Sequence, residues 1–216
     1  MKHLLFSSLT VLQRRCNHGV RSPSASQLIQ GGRTYYAPLN SSFRPPIKPM
    51  NLDRLHSAFQ QGDLLQIQAE LGNPEDFPNT QWGDCGDLCL DYAIYHAPIT
   101  LVRELLELGA DPNYVSPDGF PSLFAALTAK QSDRALRLLL LLDFGADIQQ
   151  RGANDYTPLH LAATNDDADS VFILLSRGAD PLVKTRIDHY GTPFEEARRS
   201  GHSIGLDALR RAGITK

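Results

Sequence analysis

Cysteine is scarce: the chain has three in 216 residues. Three thiols build no disulfide framework, and a reducing compartment fits that count. Cys85 and Cys89 lie close together, but no second cysteine pair and no histidine pair stands near them. Four zinc ligands therefore cannot be assembled locally, and no metal site is expected. Long apolar runs are lacking too. Leu4–Leu12 and Leu136–Leu142 are the richest stretches. Both fall far short of the roughly 20 residues that a membrane-spanning helix needs. Catalytic signatures are missing as well. There is no Gly-x-Ser-x-Gly, no phosphate-binding glycine loop and no His-Glu-x-x-His, and no cofactor is expected.

Acidic residues are absent from the first fifty positions, which hold seven basic ones: Lys2, Arg14, Arg15, Arg21, Arg33, Arg44 and Lys48. The formal charge of −3 hides this split. The rest of the chain keeps 14 basic residues against 24 acidic ones, a net of −10. An acidic body repels nucleic acid and anionic membranes, so neither is expected as a partner.

Residues 1–49 are rich in Ser, Pro, Asn and Arg, and Phe43-Arg44-Pro45-Pro46-Ile47-Lys48-Pro49 cannot form regular helix. The composition reads as a disordered basic tail. It also fits a mitochondrial transit peptide, which is Arg- and Ser-rich and poor in acid. A secretion signal fits less well, because Gln13-Arg14-Arg15 follows the apolar stretch in place of a small-residue cleavage site. A stretch upstream of a start at Met50 is a further alternative. Cytoplasmic location is the expectation for the body, and mitochondrial location the alternative if the tail is a transit peptide.

What the chain does have is a repeated unit. Asn154-Asp155-Tyr156-Thr157-Pro158-Leu159-His160-Leu161-Ala162-Ala163 reads as a turn followed by a helix start. Proline suits the first helical position, where its missing N–H would be unpaired anyway. Thr157 before it can cap the helix. Leu159, Ala162 and Ala163 give a small apolar face for a second helix at Asp169–Arg177. Gly178-Ala179-Asp180-Pro181 ends that helix, through a left-handed glycine and a proline that forbids continuation. Leu159 is matched by Leu55, Leu90, Leu123 and Phe194, in steps of 35, 33, 36 and 35 residues. Gly109-Ala110-Asp111-Pro112 and Gly145-Ala146-Asp147 repeat the terminator. A fixed period in this range signals a solenoid.

On these motifs residues 50–216 resemble the ankyrin-repeat family. Repeat four, Ala153–Pro181, is nearly consensus, while repeats one and five are degenerate. The resemblance implies an all-α solenoid of about five helix-turn-helix repeats with short hairpin turns. It assigns Thr157, Pro158, Leu159 and His160 to a structural device at the helix start. Thr185–Tyr190, Glu195-Glu196-Ala197 and Gly201-His202 look like the closing repeat of bacterial-type ankyrin proteins.

Local features refine that picture. In repeat one, Leu52, Leu55, Ala58 and Phe59 give helical spacing, continued by Leu64, Leu65, Ile67 and Leu71. Gln60, Gln61, Gln66 and Gln68 suit an outer capping face. Trp82 stands alone in a long polar loop, either packing over the end of repeat one or serving as a binding anchor. In repeat two, Cys89 and Asp91 take the places of the motif proline and histidine. Repeat three is three residues longer than its neighbours, which predicts a longer second helix or inter-helix loop. Its leucine run reads as core. The acidic clusters Asp166-Asp167-Asp169 and Glu195-Glu196 are expected at loops and helix starts. In repeat five, Glu195, Glu196, Arg198 and Arg199 replace the apolar outer face, and Ile204, Leu206, Ala208 and Leu209 pack back on repeat four.

The functional expectation is a non-catalytic protein-binding scaffold that is monomeric and favours a partner with a basic patch. The alternative is an enzyme or a secreted effector with an unrecognised active site. In the ankyrin pattern, variable residues project from the turn before each motif and from the end of each first helix. Here those are Phe120, Asn154 and Tyr156 at turns, and Tyr95, His96, Thr128, Thr164 and Asn165 at helix ends. Phe120 and Tyr156 are expected as exposed aromatics, serving as anchors or covering their own hairpins. Asp155 stands where the family usually has glycine, which predicts a distorted turn and a re-aimed Tyr156.

Overall fold

The computed structural model describes residues 50–83, 87–116, 119–187 and 190–215. The expectations for residues 1–49 and for Cys85 lie outside the described residues. Regular structure among the described residues is helical, with two isolated antiparallel bridges, Trp82–Asp87 and Val115–Pro121. The helices come in five pairs: α1 (Leu52–Gln61) with α2 (Leu64–Glu70), α3 (Cys89–His96) with α4 (Ile99–Glu107), α5 (Ser122–Thr128) with α6 (Arg134–Asp143), α7 (Pro158–Thr164) with α8 (Ala168–Ser176), and α9 (Pro193–Ser200) with α10 (Ser203–Arg211). The first helices stack in the order α1, α3, α5, α7, α9, and the second helices α4, α6, α8, α10 stack behind them. This is an all-α solenoid.

Short polar side chains start the helices. Asn51, Asp63 and Asp167 accept the backbone N–H three residues on, at 3.1, 2.9 and 3.2 Å. Each offsets a donor that the first turn leaves unpaired. Thr192 and Glu195 satisfy each other's backbone N–H groups at the start of α9, a reciprocal capping box. Helices of seven to ten residues are too short to persist alone, so their stability comes from packing. Leu55, Phe59, Leu90, Ile94, Leu105, Leu123, Leu138, Leu159 and Leu174 are all buried in one continuous core. Each such side chain contributes about 1.5–3 kcal/mol by leaving water.

The terminators work as the sequence predicts. Gly178 follows α8 with φ +90°. Its N–H donates to Leu175 and that of Ala179 to Leu174, closing the last turn. An asparagine from the preceding repeat ties down the first two of these terminators. Asn79 donates to the Gly109 carbonyl and accepts from the Asp111 N–H, both at 2.9 Å. Asn113 does the same to Gly145 and Asp147, at 3.1 and 2.6 Å. This ladder was not read from the sequence, where both asparagines look like ordinary turn residues.

The extra length of repeat three goes mostly into its inter-helix loop. Residues 129–133 separate α5 from α6, against 97–98 and 165–167 in the neighbouring repeats, while α6 is one residue longer than α4 or α8. Several side chains depart from expectation. Leu52, Leu65, Leu136 and Ile204 are exposed, Leu65 at 77%. They continue an apolar pattern but fall on the wrong side of a 3.6-residue turn. Arg137 is 1% exposed inside the leucine run. It pairs with Asp133 at 2.7 Å and donates to the carbonyls of Ala93, Ile94 and Ala97 at 3.2, 3.2 and 2.8 Å. A cation thus closes the C-terminus of α3, where the helix dipole and unpaired carbonyls favour it. Trp82 is half-buried and stacks on Phe59 at 6.0 Å, with its edge-on partner Tyr92 at 5.0 Å.

Candidate functional site

The helix-start device is built from Thr157 and His160. The Thr157 N–H donates to His160 Nδ1 at 3.2 Å, and its hydroxyl lies 2.8 Å from the same nitrogen. With Nδ1 accepting, Nε2 carries the proton and donates to the Gly191 carbonyl at 3.1 Å. Burial pushes the imidazole pKa down, which keeps this neutral form. Pro158 and Leu159 are buried beside it. His160 therefore joins repeat four to the hairpin of repeat five.

Repeat two places Asp91 at the same position. Its Oδ1 accepts from the Ser122 hydroxyl at 2.9 Å, and Oδ2 is buried without a hydrogen bond. Desolvation pushes the carboxyl pKa up to about 7. Cys89, in the place of the motif proline, is buried, and desolvation pushes its thiol up to about 12. It is an inert core group. Among the described residues no three His, Cys, Asp or Glu side chains are grouped to hold a metal ion.

The eight residues expected at turns and helix ends fall into two groups. Tyr95, His96 and Thr128 sit at the α3 and α5 ends. Tyr95 Oη lies 3.1 Å from Thr128 Oγ1, which donates to the Phe124 carbonyl at 2.8 Å. Burial raises the Tyr95 pKa. His96 packs against Tyr92 and His56, with centroids 4.5 and 5.3 Å away. Burial, with His56 adding to it, lowers the His96 pKa to about 4. Phe120 meets Phe124 edge-on at 6.0 Å.

The second group lies at repeat four. Asn154 and Asn165 are exposed, and Thr164 is buried with its hydroxyl on the His160 carbonyl at 2.9 Å. Tyr156 stacks on His160 at 5.3 Å, and its hydroxyl donates to Glu196 Oε2 at 3.3 Å. Phe120 and Tyr156 are half-buried, not the exposed rings that the alignment suggests.

Asp155 explains part of that difference. Both Asn154 and Asp155 adopt positive φ, +58° and +57°. The Asp155 carboxylate is held by Arg151 and Arg186, each at 2.6 Å. The hydrogen-bonded Arg186 guanidinium holds its pKa below the usual carboxylate range. Where glycine would relieve the backbone, aspartate clamps two hairpins together.

A polar cleft of about 320 Å³ opens between repeats four and five, lined by Asn154, Tyr156, Ile187, Glu196, Arg199 and Ser200 among others. Glu196 is 7% exposed and pairs with Arg199 at 2.6 Å. The sequence reading put Glu196 on a solvated outer face. Burial follows from Gly191, whose absent Cβ would overlap the Glu196 carboxylate. Nothing in the spacing of Glu196 signals this. Asp166 and Asp167 behave as expected. Asp166 accepts the Gly205 N–H at 2.9 Å, and Asp167 caps α8.

Residues 90–185 match the family described as ankyrin repeats in three copies. The chain contains ankyrin repeats. Relatives agree with that. Over 92 residues the chain is 36% identical to alpha-latrocrustotoxin-Lt1a of Latrodectus tredecimguttatus, covering 43% of this chain and 6% of the toxin. It is 28% identical over 130 residues to the target of rapamycin complex 2 subunit AVO2 of Saccharomyces cerevisiae, covering 60% and 30%. It is 29% identical over 153 residues to the ankyrin repeat and KH domain-containing protein mask-1 of Caenorhabditis elegans, covering 70% and 5%. The chain thus spans less than a third of the length of these curated relatives. Ankyrin repeats bind other proteins through an extended surface. Among the described residues no helix is long and apolar enough to cross a membrane.

Proposed function

We propose that this chain is a non-catalytic, monomeric protein-binding module. Its contact residues are Tyr95, His96, Phe120, Thr128, Asn154, Tyr156 and Asn165, on the face formed by the hairpin tips and first-helix ends, while Thr164, buried with its hydroxyl on the His160 carbonyl, is set aside. The observation that supports this is the register between repeats. Tyr95 and Thr128, one repeat apart, meet through their hydroxyls, so helix ends follow one another along a single row. Three titratable groups that an enzyme could recruit are already engaged in structure. His160 bridges two repeats, Asp155 clamps two arginines, and Glu196 is paired with Arg199. A partner with a basic patch suits the acidic body, and added salt then slows association. The module acts in the cytoplasm, or in mitochondria if residues 1–49 direct import. A fluorescent fusion of those residues separates the two locations.

The experiment is affinity purification from the native source, followed by binding to a Phe120→Ala/Tyr156→Ala variant. Retained melting temperature with lost binding is the expected result. Because Tyr156 packs on His160, Asn154→Arg/Asn165→Arg, at two exposed positions, serves as a second variant. Unchanged binding in both variants would sink the assignment and direct attention to Trp82.

A further inference from the structure

The cleft between repeats four and five holds chemistry that protein binding in general leaves unassigned. At its floor the Glu196 carboxylate accepts from the Tyr156 hydroxyl and from Arg199 Nη1. Its charge is met inside the protein, and it has little need of a further cation. Arg199 is different. Its side chain is 40% exposed and spends one N–H on Glu196. A guanidinium carries five donors in a planar fork, so its outer edge keeps donors to offer. Asn154 and Ser200 line the same cleft and are exposed. Neither side chain has a hydrogen-bond partner among the described residues. Three sets of unspent donors therefore converge beside one aromatic ring.

The charge distribution favours the same ligand. Residues 51–176 hold 6 basic and 19 acidic side chains, whereas residues 177–216 hold 8 and 5. The cleft thus opens where an acidic chain turns basic. Focused positive potential raises the local concentration of anions.

We propose that this cleft takes a carboxylate of the partner protein, from an Asp or Glu side chain or from a chain terminus. The inference rests on the protein-binding reading above and deepens it. Arg199 supplies the ionic partner, a planar fork matched to a planar carboxylate. Asn154 and Ser200 donate from the rim, and the Tyr156 ring forms the wall. A partner ammonium or guanidinium is disfavoured, because it would displace Arg199 from Glu196 and meet like charge.

The test uses the full chain labelled with nitrogen-15, following the Arg199 Nε–H signal at constant ionic strength. The probes are acetate, N-acetylglycine for a chain terminus, and N-acetylglutamic acid α-amide for a side chain. Phosphate and methylammonium serve as contrasts. Saturable shifts with carboxylates at millimolar concentration are expected, and the tighter of the two amino-acid probes identifies the source. Arg199→Gln should weaken saturation at least tenfold. If that variant unfolds, Asn154→Ala/Ser200→Ala should weaken it about threefold or more while keeping the melting temperature. Absence of saturation, saturation by methylammonium, or phosphate binding tenfold tighter than acetate would each overturn the proposal. Asn154 and Tyr156 line this cleft as well, so the broader reading is judged by Phe120→Ala and Asn165→Arg alone, at positions outside it, and failure here leaves those untouched. Conversely, saturable acetate binding together with partner binding lost in Arg199→Gln but unchanged in Phe120→Ala and Asn165→Arg would keep the cleft and sink the other contact assignments.

Discussion

Repeats two and four solve the same problem with different side chains. In both, the third helical residue must reach the following repeat from a buried site. His160 does so as a neutral imidazole with both nitrogens engaged, one on Thr157 and one on Gly191. Asp91 reaches Ser122 with one oxygen and leaves the other buried and unbonded. The bridge survives in both repeats, but only the histidine version is satisfied without a proton. A carboxylate there must either stay protonated or bear an uncompensated charge. Repeat two carries a second device that repeat four lacks, the buried Arg137 that closes the end of α3. Both repeats lean on a neighbour, repeat four through His160 on Gly191 and repeat two through Asp91 on Ser122 and through Arg137 as well.

The largest effect is expected where that leaning is strongest. Arg137→Ala removes a buried cation, strands the Ile94 and Ala97 carbonyls at the end of α3 and leaves Asp133 without its partner. Breaking a buried, hydrogen-bonded pair costs about 3–5 kcal/mol. Urea unfolding of the variant checks this. A loss under about 1 kcal/mol would mean that water replaces the guanidinium and that repeat two stands by itself.

Asp91→Asn comes next, and its sign depends on pH. The folded pKa of Asp91, about 7, lies above the ordinary 3.8. The folded state therefore holds a proton that the unfolded chain releases. The associated stability is full below about pH 4 and is lost as pH rises to about 7. Asparagine can still accept from Ser122 and never ionises. It should stabilise the protein at pH 8 by about 2–4 kcal/mol, and by little at pH 4. Histidines act in the opposite direction. The His96 pKa is lowered to about 4 and that of His160 is also lowered, so their stability is present above about pH 6.5 and is lost as pH falls. Melting curves from pH 4 to 8 for both proteins separate the two contributions. A pH-independent gain would show that Asp91 is not the titrating group.

His160→Ala tests the satisfied version. It leaves the Thr157 N–H without its partner, takes from the Gly191 carbonyl one of two donors, the other being the Thr185 N–H, and removes the ring on which Tyr156 stacks. The expected cost is about 1–3 kcal/mol. His160→Asp sharpens the comparison further by giving repeat four the solution found in repeat two. It should make stability fall as pH rises from about 4 to 7. If it does not, the penalty at Asp91 comes from its surroundings in repeat two and not from a carboxylate at this helix position.

Much of the fold was legible because its determinants are local. A proline at the first turn, a cap before it and a glycine after the second helix act within a few residues, so their recurrence marks the repeats. The exceptions are side chains whose partners lie a whole repeat away. Arg137 carries no local sign of its role within the leucine run, because its carbonyl acceptors lie 40–44 positions earlier. Glu196 reads as solvated, because the space for it is made by Gly191. Leu65, Leu136 and Ile204 fit an apolar pattern while facing water, since composition alone does not set helical phase. The polar cleft was half visible. Asn154 and Tyr156 were named from the repeat pattern, whereas Arg199 and Ser200, on the next repeat, carried no signal that set them apart from a capping face.

Asp155→Gly gives the smallest effect and the finest test of how repeat four departs from the ankyrin-repeat pattern. Glycine at φ +57° removes backbone strain, a gain of up to about 1 kcal/mol where the native conformation suits it. The same change deletes the carboxylate shared by Arg151 and Arg186. Arg186 is well exposed, and exposed ion pairs are worth little and are screened by salt. The two effects oppose each other, so the melting temperature should move by less than about 4 °C. The distinguishing readout is salt. Wild-type stability should decline slightly between low salt and about 0.5 M, and the variant should lose part of that dependence. Tyr156 provides a second readout, since its stack on His160 follows the turn. If the variant keeps both the salt dependence and the Tyr156 ring shifts in its NMR spectrum, the clamp does not aim the turn, and the positive φ at Asp155 follows from the hairpin itself.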